Sequence, residues 1–399
     1  MGLLDDMNAA PKPGGWAHKD PAGWEQGYEV GPNGGHLCIR KDDDVEPDDW
    51  GYILTNLGLD PERYTVAEDS VEVRSWDMNV GGGTIERAYY FKARIRLRSH
   101  MVTDKDMEAL CKRASRLKSA SPRAATGEGR ALVVALADWQ IGKGEGGGTE
   151  ATVDRIAVCL DQALERAKAE KPDSIVLAGL GDLAEGCNGW YPHQLYEIDL
   201  DEREQMRVAT RLLLSAVDRF LGWPITLTSC VSNHGEKRDD GKHRTSITDN
   251  RDLQLLDRVG DVLGANPERY HDVKLVGPHE ADPTVTRFDV EGVRVATTHG
   301  HVGMGGKDAS VAVDKWLTGQ IKGQRPAQDV ELLLTGHRHH FAAAEFGLTR
   351  SWYQAPAMDG GSIWFASANG IQSHSGMLSL MVGRGCGDRR VSAPVIHEP

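Results

Sequence analysis

The chain has 399 residues, with 59 acidic against 46 basic side chains and a formal charge of −13. Such a length exceeds the roughly 100–200 residues of a single domain, so a large domain plus a smaller one is expected. An acidic chain does not coat nucleic acid through its overall field, so an anionic ligand must be held by metal cations or a focused basic patch. No run approaches the ~20 apolar residues of a membrane span. The opening Met1-Gly2-Leu3-Leu4-Asp5-Asp6 carries acids where a secretory signal has a basic cluster, so a cytoplasmic protein of a bacterium or a phage-infected host is expected, with no membrane partner. Cys38, Cys111, Cys159, Cys187, Cys230 and Cys386 form no Cys-x-x-Cys pair and read as buried thiols.

In chain order, the first 35 residues are rich in Gly and Pro and read as weakly ordered. A short helix is predicted over 47–57, strands over 71–76 and 85–98, and a helix over 104–117. These make an N-terminal α+β unit, 1–118. In the strand 89–98, Phe91, Ala93, Ile95 and Leu97 alternate with Tyr90, Lys92, Arg94, Arg96 and Arg98. The second set places cations and an aromatic on one surface, suited to a phosphate backbone with Tyr90 stacking on a base. Residues 119–129, rich in Ser, Ala, Pro and Gly, read as a linker. The second domain spans 130–399. There, short apolar runs at 131–137, 174–180, 225–231, 293–297 and 331–334 read as strands covered on both faces, and helical periodicity occupies 149–169 and 199–221. Val290-Glu291-Gly292-Val293 is a hairpin turn, and further strands fall near Phe341, Trp352 and Met377. The class is α/β (α+β), a layered sheet structure flanked by helices.

Several of these strands end in residues suited to metals, at the edge where an α/β sheet places its functional crevice. In order they are Asp138-Trp139-Gln140, Gly181-Asp182, Ser232-Asn233-His234, His299-Gly300-His301 and Gly336-His337-Arg338-His339. Imidazoles with an amide and carboxylates, without thiolates, suit Mn²⁺, Fe or Zn²⁺. His193, Gln194, Tyr196, Lys237, Arg238, Lys242, His243 and Arg244 follow two of these motifs and are candidate phosphate contacts.

These motifs resemble the calcineurin-like metallophosphoesterase superfamily, whose pattern is D-x-H, G-D, G-N-H-D/E, H and G-H-x-H. The resemblance spans roughly residues 130–341. Asp138-Trp139-Gln140-Ile141-Gly142 is similar to the opening motif of the double-strand-break-repair exonuclease branch, and the whole chain is similar to phage-encoded metallophosphoesterases. The resemblance implies a β-sandwich flanked by helices and two divalent metals, Mn²⁺ foremost and Fe or Zn as alternatives. It puts Asp138, Gln140, Asp182 and His339 on the first metal, and Asp182, Asn233, His299 and His337 on the second. His301 is an alternative to His299. A hydroxide bridging two such cations is the implied nucleophile and His234 the implied general acid. The chain departs from the pattern at Gln140, where histidine is usual, and at Ser232 and Gly235, which alter the third motif.

The implied activity is phosphoester hydrolysis, by a nuclease acting on DNA phosphodiesters. Arg238, His193, Arg94 and Arg96 are its candidate substrate contacts, and a homodimer is a candidate assembly. A phosphomonoesterase or cyclic-nucleotide phosphodiesterase is the alternative, and a catalytically inactive binding protein of the same fold is the alternative of another class. Gly142-x-Gly144-x-x-Gly147 formally matches a dinucleotide fingerprint, but Asp138-Trp139-Gln140 stand where its first glycine belongs. The Gly-Lys pairs at 142, 241 and 306 lack the following Ser or Thr of a phosphate loop.

Overall fold

The computed structural model describes residues 21–31, 34–61, 64–67, 70–81, 84–97, 104–115, 126–189, 194–239, 242–243, 245–361 and 373–399. The chain forms two compact units, 1–100 and 101–399.

In the first unit, β1 (Gly27–Gly31), β2 (Gly34–Lys41), β3 (Tyr64–Val66), β4 (Glu72–Gly81) and β5 (Thr84–Leu97) form an antiparallel sheet. The long β5 pairs with β2, β3 and β4. Leu37, Ile39, Phe91, Ala93 and Ile95 bury one face against Ile53 and Leu54 of helix α1 (Trp50–Asn56), which Asp49 caps. The expected alternation along β5 is therefore present, with one correction. Tyr90 is fully buried, edge-on to Trp76 at 5.2 Å, its hydroxyl on the Met78 sulfur at 3.6 Å, so it offers no face to a base. Arg94 is exposed on that side of the sheet, and Arg96 pairs through its backbone with Thr65. Arg98 lies outside the described residues.

Helix α2 (Asp104–Ala114) belongs to the second unit and not, as expected, to an N-terminal unit of residues 1–118. Met107, Cys111 and Ala114 join the core of the large unit, and Arg113 pairs with Asp154 and Glu150. Most of the expected linker lies outside the described residues. Then follow β6 (Ala131–Leu136), α3 (Gly148–Glu170), β7 (Ser174–Gly179), α4 (Gln194–Glu197), α5 (Glu202–Arg219), β8 (Ile225–Thr228), the ribbon β9 (Arg238–Asp239) and β10 (Lys242–His243), α6 (Arg251–Ala265) and β11 (Val273–Val276). After these come β12 (Thr286–Val290), β13 (Val293–Thr298), α7 (Ala309–Lys322), β14 (Leu332–Thr335), β15 (Ala342–Glu345), β16 (Ser351–Gln354), β17 (Met377–Val382) and β18 (Val395–His397).

Two sheets result, in the orders β11-β8-β7-β6-β17-β18 and β12-β13-β14-β16-β15. Side-chain parity explains why they stack. In β6, Ala131, Val133 and Ala135 face the second sheet, while Leu132, Val134 and Leu136 face helices α2, α3, α5 and α6. In β14, Leu332 and Leu334 face the first sheet and Leu333 faces α7. A strand apolar on both faces must be covered twice, so the expected layered β-sandwich flanked by helices is what the chain forms. Asp201 and Glu204 close a capping box at the start of α5, and the Glu291-Gly292 turn joins β12 to β13 as expected. No cysteine is in a disulfide among the described residues; Cys187 and Cys386 are half-buried and the others buried. Among the described residues, no helix is long and apolar enough to cross a membrane.

Leu334 is fully buried between the sheets, one strand residue before the loop of His337. Leu334→Ala is expected to cost about 2–5 kcal/mol in urea unfolding.

Candidate metal centre

Strands β6, β7 and β8 run parallel, as do β13 and β14, and their C-terminal ends share one edge of the sandwich. Asp138 and Gln140 leave β6, Asp182 leaves β7, Asn233 and His234 follow β8, His299 directly follows β13, and His337 and His339 leave β14. The backbone there is strained in a consistent way. Nine non-glycine residues have positive φ among those described, and five are Asp138 (49°), Gln140 (44°), Asp182 (53°), His337 (75°) and His339 (58°). Each such conformation costs on the order of 1–3 kcal/mol and persists only where surrounding bonds over-determine it. Here Asp138 N–H donates to Gly181 O at 3.0 Å and Gln140 N–H to Asp182 O at 2.9 Å.

Two glycines of the motifs have steric reasons. A side chain at Gly181, whose φ is +89°, would meet Ser232 Cβ at 2.6 Å and His299 Nδ1 at 2.9 Å. One at Gly336 would meet Asp138 Oδ2 at 2.6 Å. The motif glycines thus let carboxylate and imidazole approach the backbone.

Asp182 is fully buried, with Oδ1 accepting from His234 N–H at 2.9 Å and Oδ2 lying 2.9 Å from His299 Nε2. His299 Nδ1 sits 2.7 Å from Leu180 O, which only a protonated Nδ1 can satisfy, so Nε2 is the nitrogen left for a ligand role. That Nε2 also lies 2.8 Å from Asn233 Oδ1. Ligating atoms of Asp182, His299 and His337 all fall within 4.8 Å of one another. Two imidazoles and a carboxylate converging in this way make a donor set that could hold a divalent cation. Burial pulls His299 down, but Asp182 outweighs it and lifts the imidazole to about 9. His337 is neutral, depressed to about 3 by burial and by His299, as a ligand imidazole must be.

On the other side, both oxygens of Asp138 accept from the His337 N–H, at 3.2 and 3.1 Å, and Oδ1 lies 3.4 Å from His339 Nε2. His339 Nδ1 faces Asp359 at 3.4 Å. Asp359 is buried; burial alone would raise its carboxyl, but His339 and Lys143 hold it far below the usual range. Gln140 Oε1 accepts from Lys143 Nζ at 3.2 Å, and its Nε2 lies 3.4 Å from His234 Nε2. His234 Nδ1 is 2.8 Å from Glu185 O and 3.3 Å from Glu185 Oε2. Burial opposes its charge, yet Glu185 and Asp182 raise it to about 10.

The structure thus brings Asp138, Gln140, Asp182, Asn233, His234, His299, His337 and His339 to one buried edge. His301 lies beside His299, ring centroids 5.3 Å apart, with Nε2 3.5 Å from Glu236. Arg238, a candidate phosphate contact, is held by Glu236 at 2.8 Å. His193 lies outside the described residues, and Arg94 and Arg96 belong to the first unit. Asp359, Lys143, Glu185 and Asp252 were missed. Lys143 follows Gly142 in a pair whose only sequence signal is that of a nucleotide loop, and Asp359 follows β16 by five positions in Met358-Asp359-Gly360-Gly361.

No protein-family model matches the chain, and no curated protein matches it. Among solved structures it is similar to Vacuolar Protein Sorting 29 from Cryptosporidium parvum, with 12% identity over 68% of this chain and 99% of that one and a TM-score of 0.30. It is also similar to a predicted phosphoesterase from Streptococcus pneumoniae TIGR4, at 9% identity over 67% of this chain and 98% of that one, TM-score 0.24. A 5'-nucleotidase from Candida albicans SC5314 shows 11% identity over 70% of this chain and 52% of its own, TM-score 0.28. At such values the chemistry has to be read from the chain's own side chains.

In Gly336→Ala the added methyl would strike the Asp138 carboxylate at 2.6 Å and press on Leu180 O at 3.3 Å. Mn²⁺ is expected to raise the melting temperature of the parent chain by mass action and to leave that of the variant unchanged, as scanning calorimetry would show.

Proposed function

We infer that the protein is a metal-dependent phosphoesterase with a dinuclear centre, a nuclease acting on DNA phosphodiesters, with Mn²⁺ as its metal. The observation that carries this reading is the buried Asp182 carboxylate grouped with His299 and His337, with Asn233 Oδ1 on the same His299 nitrogen and the Asp138–His339 pair at the same sheet edge. Asp182, Asn233, His299 and His337 would hold one cation, and Asp138, Asp182 and His339 the other. When bound, such a pair supplies Lewis acidity toward phosphate oxygens and lets water act as a nucleophile near neutral pH.

The remaining work falls to the chain itself. The Leu180 carbonyl holds the His299 tautomer, Asp359 holds the His339 ring, and Asp138 anchors the His337 backbone. Glu185 grips His234 through Nδ1, so Nε2 is the nitrogen that passes a proton to the leaving oxygen as the phosphorus–oxygen bond breaks. The charge that Glu185 and Asp182 impose on His234 suits it to donate that proton. A polymeric anion as substrate is supported by the first unit, where exposed Arg94 and half-buried Lys92 share a sheet face. His234 also speaks for catalysis over mere binding, since a binding protein has no use for a buried acid at this place.

The test is purified protein with Mn²⁺, offered linear DNA, a chromogenic phosphodiester and a chromogenic phosphomonoester. Hydrolysis of DNA and the diester is expected, with His234→Ala and Asp182→Asn lowering kcat by roughly 10²–10⁴-fold. Turnover of the monoester alone would remove the nuclease reading, and full activity in both variants would remove the site assignment.

A further inference from the structure

Lys143 is a buried cation for which the hydrolytic reading has no use. Only 6% of it is exposed, and its ammonium donates to Asp359 and to Gln140 Oε1. An ammonium has three donors and no acceptor, so only the oxygen end of the Gln140 amide can face it. That settles the orientation of the amide: its NH₂ end points the other way, toward His234 Nε2 at 3.4 Å. The backbone keeps the two side chains in register, because Lys143 N–H donates to Gln140 O at 3.0 Å in a tight turn. The result is a line of contacts, Asp359 to Lys143 to Gln140 to His234, buried throughout.

We propose that Gln140 is not a metal ligand, because Lys143 holds its amide oxygen away from the metal. The inference rests on the reading of this edge as a metal centre. For Gln140 to ligate, its oxygen would have to leave Lys143, stranding a buried ammonium without one of its acceptors, and a divalent ion would have to approach that ammonium. One cation then keeps only Asp138, Asp182 and His339 as protein donors, so it is the more weakly held of the two. The histidine usual at this position in the resembled pattern has been exchanged for a residue whose oxygen is committed to the buried Lys143–Asp359 pair.

Equilibrium dialysis of the full chain against Mn²⁺ tests this. Gln140→Ala is expected to keep the Mn²⁺ affinity of both sites within about twofold, while His339→Ala weakens one site by roughly 10–100-fold. Lys143→Met, which frees the amide oxygen and removes a neighbouring cation, should tighten the weaker site by roughly tenfold, and Lys143→Arg should not. A loss of Mn²⁺ in Gln140→Ala equal to that in His339→Ala would overturn the proposal. Undiminished Mn²⁺ uptake by Asp182→Asn is a different result and would instead remove the metal centre. Because the Gln140→Ala arm leaves the Lys143–Asp359 pair intact, it decides the matter even if Lys143→Met fails to fold.

Discussion

The structure depends on keeping one carboxylate, Asp182, ionised while fully buried. An unpaired buried charge costs several kcal/mol, so the chain must deliver partners to it. Those partners come from both sheets: His234 N–H follows β8 of the first, and His299 follows β13 of the second. Satisfying Asp182 therefore fixes how the two sheets register at their C-terminal edge. The apolar layer between them, Val133, Val176, Val295 and Leu334 among others, supplies adhesion but little direction.

A second layer of polar residues holds the first. Asp252, at the start of α6, accepts from Asp182 N–H at 3.2 Å, from Leu183 N–H at 3.1 Å and from the Ser232 hydroxyl. Burial and the nearby Asp182 push its carboxyl up to about 6. This layer also accounts for the altered third motif. Ser232 in place of glycine provides the hydroxyl that Asp252 receives, and Gly235 leaves room for the Asn250 amide, which a side chain there would strike. Glu236, displaced by that insertion, turns instead to Arg238 and His301. The left-handed loops at Asp138, Gln140, Asp182, His337 and His339 are tolerable because each is tied into these bonds, and they aim side chains that ordinary strand ends would splay apart.

Much of this was legible in the residues. Apolar runs gave the central strands, since a strand buried on both faces has no other composition, and the order of Asp, amide and His at their ends gave the cluster. The alternation along β5 gave the buried face of the small unit. It could not give the fate of Tyr90, because whether its opposite face meets water depends on Trp24, Trp76 and Met78, brought from elsewhere in the chain.

The sequence alone determined the kinds of element, their order, and which side chains sit at strand ends, because these follow from local periodicity and chain direction. Only the tertiary structure decided which way each side chain is turned. Lys143 and Asp359 are 216 residues apart, and no local pattern joins them. Yet their pairing orients the Gln140 amide, and an amide has two chemically opposite ends whose choice is made by what surrounds it. Identity and spacing are properties of the chain, whereas the partners of a buried polar group are properties of the fold.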